Sequence, residues 1–287
     1  MTEITGKTRV LGIIGWPVAH SLSPLMQNAA LQALGMDYIY VPFPVTPEAL
    51  PVAVLGLRSL GVAGFNVTIP HKTTIIPLLD ELTPEAAFIG AVNTVRREGD
   101  QLIGDNTDGI GFVRSLAEDL EFQPQGKTIL LLGAGGAARS ALVSLCAAGA
   151  AEIIIANRTI ENADALIEGV ADRYSQVRLS TVTLDSVGVD QYLPVADLVV
   201  NTTSVGMGGS SFDWLDLSLL QKGGRVYDMV YSPPLTPLLV KAKGAGHSYA
   251  NGIGMLIAQG EEAFRLWTGA PPPPGVMKTR LRALLDK

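Results

Sequence analysis

Gly133-Ala134-Gly135-Gly136-Ala137-Ala138 stands between an apolar run, Thr128 to Leu132, and an Ala- and Leu-rich stretch that reaches Leu145. The spacing fits G-x-G-x-x-A, with Gly133, Gly135 and Ala138 at the three small positions. The chemistry such a stretch serves is anion binding. The first glycine permits a tight turn, the second lets the backbone approach a pyrophosphate without a Cβ in the way, and the small third residue lets helix and strand pack closely. The free N–H groups and positive end of the helix then face the anion. The plain alternative is a glycine loop that only caps a helix. A second apolar run, Glu152 to Ala156, follows roughly twenty residues on, where a dinucleotide fold reads the ribose. It ends in Asn157-Arg158-Thr159 and not in Asp or Glu. An acidic residue there would bind a free 2′-hydroxyl and repel a 2′-phosphate, whereas Asn, Arg and Thr supply donors and a cation. The reading is NADP over NAD; the alternative for Arg158 is an ordinary solvated charge.

Elements must hold these residues in place. Arg9 to Gly15, Asp37 to Phe43 and Val62 to Thr68 read as strands. Ser23-Pro24 predicts a helix start, with Ser23 as N-cap and Pro24 at the first helical position, running to about Leu34 and stopping at Gly35. Ser21 is not needed for that cap, so its hydroxyl is available to a ligand. Thr46 or Pro47 opens a helix that ends near Gly61. The third strand runs into Ile69-Pro70-His71-Lys72, which puts Asn66, Thr68 and Lys72 at a strand's carboxyl end, where open α/β sheets bind ligands. Short segments at Ala91 to Val95 and Gln101 to Asp105 lead to Asn106-Thr107-Asp108-Gly109, a polar turn that starts a helix. Strands alternating with helices predict a parallel sheet.

Beyond the glycine loop, Ala196 to Asn201, Arg225 to Val230 and His247 to Ala250 read as further strands. Asn251-Gly252-Ile253-Gly254-Met255-Leu256 opens a helix carrying Gln259, Phe264 and Trp267, Pro271 to Pro274 form an extended break, and Val276 to Leu285 is a short amphipathic helix. This order predicts an α/β fold of two domains. Residues 1–107 together with 252–287 form an N-terminal three-layer α/β substrate domain. Residues 108–251 form a Rossmann-type dinucleotide-binding domain, with the active site in the cleft between them.

At 287 residues, 47% hydrophobic and 17% charged, the chain is long enough for two cores. A net charge of -6 and a pI of about 5.1, with no basic run, argue against nucleic-acid binding. The one cysteine, Cys146, excludes an internal disulfide framework and reads as core filling. No stretch reads as a signal peptide or is apolar enough to span a bilayer, so the expectation is a soluble cytoplasmic protein, monomer or homodimer. His20, His71 and His247 are too scattered to argue for a metal. His71 reads as a solvated helix-start residue, with a general base as the alternative.

Taken together, the motifs resemble those of the shikimate dehydrogenase family along most of the chain. They are Ser21-Leu22-Ser23-Pro24, Asn66 to Lys72 (NVTIPHK), Gly90-Ala91-Val92-Asn93-Thr94, and Gly104 to Gly109 (GDNTDG). The glycine loop with Asn157-Arg158-Thr159, Asn201 to Met207 (NTTSVGM), Tyr227 to Tyr231 (YDMVY) and Gly252-Ile253-Gly254-Met255 with Gln259 complete the set. The resemblance implies NADP-dependent reduction of 3-dehydroshikimate to shikimate on the route to chorismate.

Such a reduction leaves an oxyanion that needs a proton or a cation. Lys72 is the expected donor, with Asp108 orienting it. The resemblance further implies that Ser21 and Ser23, helped by Tyr231, hold the substrate carboxylate, and that Thr68, Asn93, Asp108 and Gln259 hold the ring hydroxyls with Lys72. Plainer roles are a cap for Ser23, turn formation for Asn93, a solvated helix face for Gln259 and a structural salt bridge for Lys72 with Asp108. On the cofactor side it implies Gly133, Ala134, Gly135, Gly136 and Ala137 at the pyrophosphate, Asn157, Arg158 and Thr159 at the ribose phosphate, and Thr203, Met229, Gly252 and Met255 along the nicotinamide. One departure stands out: Ile160-Glu161-Asn162 lacks the second basic residue of many NADP-using relatives, leaving Arg158 nearly alone with the 2′-phosphate. Rival readings are a dual quinate/shikimate dehydrogenase, a reductase resembling methylenetetrahydrofolate dehydrogenase, and a non-catalytic NADP-binding module.

Overall fold

The computed structural model describes residues 3–285. The chain divides into two compact units, Met1–Asp108 with Leu256–Lys287, and Gly109–Met255.

The first unit opens with β1 (Arg9–Gly15), α1 (Ser23–Ala33), β2 (Tyr38–Pro44), α2 (Leu50–Ser59) and β3 (Gly64–Val67). It continues through β4 (Glu81–Leu82), α3 (Pro84–Ile89), β5 (Thr94–Glu98) and β6 (Gln101–Asp105). The strand order is β2-β1-β3-β5-β6-β4. β2, β1 and β3 run parallel, as the strand–helix alternation predicts. The β3–β5 and β5–β6 pairs are antiparallel, so the sheet is mixed. For β5–β6 the reason is local. Only Gly99 and Asp100 separate Glu98 from its partner Gln101, and Gly99 sits at φ 60°. A two-residue link closes a hairpin; a parallel return needs a crossover of about a dozen residues. One core of this unit gathers Ile14, Phe65 and Val67 from the central strands under Leu50, Val54 and Leu57 of α2.

α4 (Asp108–Leu120) begins at the last residue of the first unit and continues in the second. There follow β7 (Thr128–Leu132), α5 (Gly136–Ala147), β8 (Glu152–Asn157), α6 (Ile160–Ala171), β9 (Arg178–Thr183) and α7 (Ser186–Val189). β10 (Leu198–Asn201), β11 (Val205–Gly208), β12 (Arg225–Asp228), α8 (Pro237–Gly244) and β13 (Ser248–Asn251) complete this unit. Its sheet order is β13-β12-β10-β7-β8-β9, and all five neighbouring pairs are parallel. That is the doubly wound order, reversing between β7 and β10, and ligands bind at the carboxyl ends of strands at such a switch point. β7 is fully buried from Ile129 to Leu132, each side chain contributing about 1.5–3 kcal/mol. The chain returns to the first unit along α9 (Ile253–Thr268) and ends in α10 (Val276–Leu285). Trp267 of α9 donates its Nε1–H to the Val95 carbonyl at 2.9 Å and packs where a Cβ on Gly64 would lie.

Several expectations need correction. Ser23 does not cap α1: the N-cap is Leu22, without a side-chain cap, and Ser23 is buried inside the first turn. α2 starts at Leu50, because Pro47 to Ala49 form a separate turn. β5 begins at Thr94 and not at Ala91. β9 has no counterpart among the expected strands, because RLSTVT is a polar edge strand without an apolar run. Among the described residues no helix is long and apolar enough to cross a membrane.

Candidate active site

The turn after β3 is tight. His71 N–H donates to the Thr68 carbonyl at 2.9 Å, and Lys72 accepts Val92 N–H at 2.7 Å through its carbonyl, which fixes the direction in which Lys72 leaves the backbone. His71 is not solvated. It is fully buried, with Nε2–H donating to the Val45 carbonyl at 2.7 Å, so it anchors this turn to the segment after β2.

Lys72 Nζ lies 2.6 Å from Asp108 Oδ2, with 33% of the lysine side chain and 11% of the aspartate side chain exposed. Asp108 opens α4, its N–H held by Asn106 Oδ1 at 3.1 Å. Its second oxygen accepts Asn93 Nδ2 at 2.8 Å, and the same amide reaches Gln259 Oε1 at 3.4 Å. Asn93 is itself locked. Its Oδ1 accepts Thr107 N–H at 2.8 Å and the Thr94 hydroxyl at 3.0 Å, which leaves the amide nitrogen for Asp108. Lys72, Asn93, Asp108 and Gln259 therefore form one hydrogen-bonded cluster. It joins a charged pair that is reachable from water to a scaffold that is not, an arrangement able to hold and hand on a proton.

Asn93 and Gln259 are both buried, so neither the turn-forming nor the solvated-face reading describes them. Thr68 lies at the end of β3 with its methyl against Gly15, where a Cβ would come within 2.4 Å. Ser23 N–H donates to Ser21 Oγ at 3.3 Å, so the serine hydroxyl expected to be uncommitted is the one that takes a backbone donor. Tyr231 belongs to the second unit, unlike the two serines, and burial raises its hydroxyl pKa.

In the second unit the glycine loop separates its residues by role. Gly133 has φ 108°, and a Cβ there would meet Thr203 Cγ2 at 2.6 Å. Gly135, the N-cap of α5, provides no side-chain cap, and a Cβ on Gly135 or Gly136 would meet nothing within 4 Å. Ala134 is half-buried, Ala137 exposed and Ala138 fully buried. The loop thus presents backbone to open space at a helix N-terminus, which fits a dinucleotide pyrophosphate. After β8, Asn157 Nδ2 donates to the Thr159 carbonyl at 2.8 Å, while Arg158 and Thr159 are exposed. Thr159 is the N-cap of α6 without a side-chain cap bond, and Glu161 stands in that helix's first turn. Thr203 Oγ1 donates to Asn201 Oδ1 at 2.7 Å. Gly252 must be glycine, because a Cβ would come within 2.2 Å of the Met229 carbonyl oxygen; Met229 and Met255 are half-buried.

Three family models match the chain: the shikimate dehydrogenase substrate binding domain over residues 13–95, shikimate / quinate 5-dehydrogenase over 115–206, and the shikimate 5′-dehydrogenase C-terminal domain over 252–282. A shikimate dehydrogenase (NADP(+)) of Geobacter metallireducens is 60% identical over 285 residues, covering 99% of this chain and all of that one. The chain belongs to the shikimate dehydrogenase family. Among solved structures, shikimate 5-dehydrogenase from Listeria monocytogenes, in complex with shikimate and NAD, is similar at a TM-score of 0.91 and 35% identity over 99% of both chains. The enzyme from Thermus thermophilus in complex with NADP(H) and shikimate is similar at 0.84 and 37% identity, over 96% of this chain and 99% of that one.

As a shikimate dehydrogenase family member the chain also carries buried polar groups that sequence reasoning did not single out as site residues. Tyr40 donates its hydroxyl to Asn66 Oδ1 at 2.7 Å, and Asn66 Nδ2 donates to the Asn93 carbonyl and to Thr94 Oγ1, each at 3.1 Å. Burial pushes the Tyr40 hydroxyl well above its ordinary pKa, with Ser23 as a hydrogen-bond partner acting the other way. A buried polar line thus runs from Ser23 to the Lys72 cluster. Tyr40 reads only as part of a strand, and Asn66 as a polar residue at the carboxyl end of a strand, with no partner named for either.

Proposed function

We propose that the protein is an NADP-dependent shikimate dehydrogenase, reversibly reducing 3-dehydroshikimate to shikimate on the route to chorismate and the aromatic amino acids. The carrying observation is the Lys72–Asp108 pair at 2.6 Å, held by Asn93 beside Gln259 in a chain of this family.

In this reading the first unit holds the acid and the second unit the cofactor. Bound NADPH supplies a hydride to the substrate carbonyl carbon. Lys72, as the ammonium, hydrogen-bonds the carbonyl oxygen, stabilises the negative charge that develops there and gives it a proton. Ketone, hydride and proton together make the alcohol, so the lysine must recover one proton per turnover, and its partial exposure gives water access to the amine. Asp108 keeps the ammonium aimed. In the direction of oxidation the same pair receives the hydroxyl proton. Asn93 donates to Asp108 and never competes for the lysine, since its acceptor oxygen is already taken by Thr107 and Thr94.

Ser21 and Ser23, with Tyr231, hold the substrate carboxylate. Thr68, Asn93, Asp108 and Gln259 take the ring hydroxyls with Lys72. Gly133 to Ala137 cradle the pyrophosphate with backbone N–H groups. Asn157, Arg158 and Thr159 take the 2′-phosphate, and Thr203, Met229, Gly252 and Met255 line the nicotinamide. The open faces of Gly135 and Gly136 support the pyrophosphate assignment.

Shikimate mixed with NADP+ and the protein tests the reading. Growth of the reduced-nicotinamide absorbance band is expected; no growth with shikimate, in a protein shown to bind NADPH, overturns it. Quinate in place of shikimate is expected to give a much lower rate, and equal rates would make the enzyme dual-specific.

A further inference from the structure

Asp228, the last residue of β12, is fully buried, and no step above uses it. Its two oxygens take three hydrogen bonds. Oδ1 accepts Asn201 Nδ2 at 2.8 Å and Val230 N–H at 3.0 Å, and Oδ2 accepts the Thr236 hydroxyl at 2.5 Å. All three partners donate, which is the pattern that satisfies an ionised carboxylate. Burial raises the Asp228 pKa and these donors pull it back.

What the carboxylate fixes is more informative than its charge. Asn201 is its register partner on β10. Because Asn201 Nδ2 is spent on Asp228 and on the Val205 carbonyl at 2.8 Å, its oxygen faces Thr203. That oxygen accepts both Thr203 N–H at 3.0 Å and the Thr203 hydroxyl at 2.7 Å. The Thr203 methyl in turn lies against Gly133 of the glycine loop. On the other side, the bond to Val230 N–H pins the chain between Met229 and Tyr231. One side chain thus orders the ends of β10 and β12, one strand over from the switch point between β7 and β10.

An amide cannot do the same. Its nitrogen would have to face Thr236, whose oxygen already accepts Leu239 N–H at 3.3 Å as the cap of α8, and the threonine proton would then lose its acceptor.

Resting on the cofactor assignment above, we infer that Asp228 is a positioning residue for the nicotinamide half of NADP(H), acting through Asn201 on Thr203 and through Val230 on Met229. The adenosine 2′-phosphate end, assigned to Asn157 to Thr159, shares none of these hydrogen bonds, and the network reaches the glycine loop only through the Thr203 methyl. The test compares two ligands on the full-length protein by fluorescence titration and calorimetry. Asp228→Asn is expected to raise the Kd for NADPH about tenfold or more while the Kd for adenosine 2′,5′-bisphosphate stays within about twofold. Both constants unchanged, or both raised by the same factor, overturns the inference. Should that variant not fold, Thr203→Val removes the two hydroxyl bonds to Asn201 Oδ1 and Val205 N–H at a half-buried position and is expected to give the same split with a smaller amplitude. Equal effects on the two ligands, or none, again overturn it. The wild-type titration separates the two levels. A wild-type protein that does not bind NADPH removes the cofactor assignment itself, whereas one that binds both ligands leaves only the role of Asp228 at stake.

Discussion

In the first unit the atoms of the proposed site belong to side chains: the Lys72 ammonium, the Asp108 carboxylate, and the amides of Asn93 and Gln259. In the second, at the glycine loop, they belong to the backbone, and the residues are chosen for the Cβ they lack or keep small. Side-chain sites put chemistry at risk and leave the fold alone. Backbone sites put shape at risk, because the chain path itself is the ligand-binding surface. Four experiments break or sharpen this contrast.

Lys72→Ala has the largest expected effect. Loss of a general acid and its charge lowers kcat/KM by about 10²–10⁴-fold. The Kd for NADPH is expected to stay within about twofold, since the backbone site is intact. Steady-state rates and fluorescence titration read the two separately, and near-normal turnover would remove lysine from the mechanism.

Arg158→Ala probes the exposed charged side chain of the cofactor site proposed for the second unit. NADPH is expected to lose roughly 10–100-fold in kcat/KM with NADH unaffected, the value of a charge-assisted hydrogen bond. Because Arg158 is exposed, salt shrinks the loss. Glu161 in the first turn of α6, with no basic residue at Ile160 to Asn162, favours weak discrimination already in the wild type. A wild-type NADPH to NADH ratio below one would reverse the preference.

Two glycine substitutions sharpen the backbone side. A Cβ on Gly252 strikes a carbonyl oxygen at 2.2 Å and cannot be accommodated by a rotamer change. Gly252→Ala is expected to cost about 1–3 kcal/mol, read as a lower Tm. A Cβ on Gly135 meets no protein atom, so Gly135→Ala should leave Tm unchanged and weaken only NADPH binding. Equal thermal loss in both would show that the loop is not open.

The smallest effect concerns the wall behind that loop. Cys146 on α5 is buried, and burial pushes its thiol up from 9.0 to about 12. A raised thiol pKa favours folding fully below about pH 9 and less as pH rises toward 12. At about pH 8 iodoacetamide should leave the native protein unmodified and label it in urea, as mass spectrometry would record.

How far the sequence reached follows the same contrast. The glycine loop, β7, β8 and the start of α4 were legible because their signals are local: an apolar run, a small-residue spacing, a polar turn. The parallel part of the first sheet was legible too, but the antiparallel β5–β6 hairpin turned on two residues, Gly99 and Asp100, between two short segments. Ser23 and His71 were misread because capping and solvation were inferred from neighbours in sequence, while burial is decided by distant ones. The clusters around Asn93 and Asp228 draw on partners up to 166 and 27 residues away, which no local pattern encodes.

The chain passes between its units twice, just after Asp108 and just before Leu256. Only the middle unit is a continuous piece of polypeptide. During synthesis, residues 109–255 are all available while the amino-terminal sheet still lacks Gln259, Trp267 and α10. Domains fold as their residues emerge. The dinucleotide half can therefore be complete on the ribosome before the half bearing Lys72 has its last two helices, and an amino-terminal fragment cut at Asp108 would be an unfinished body without its closing tryptophan.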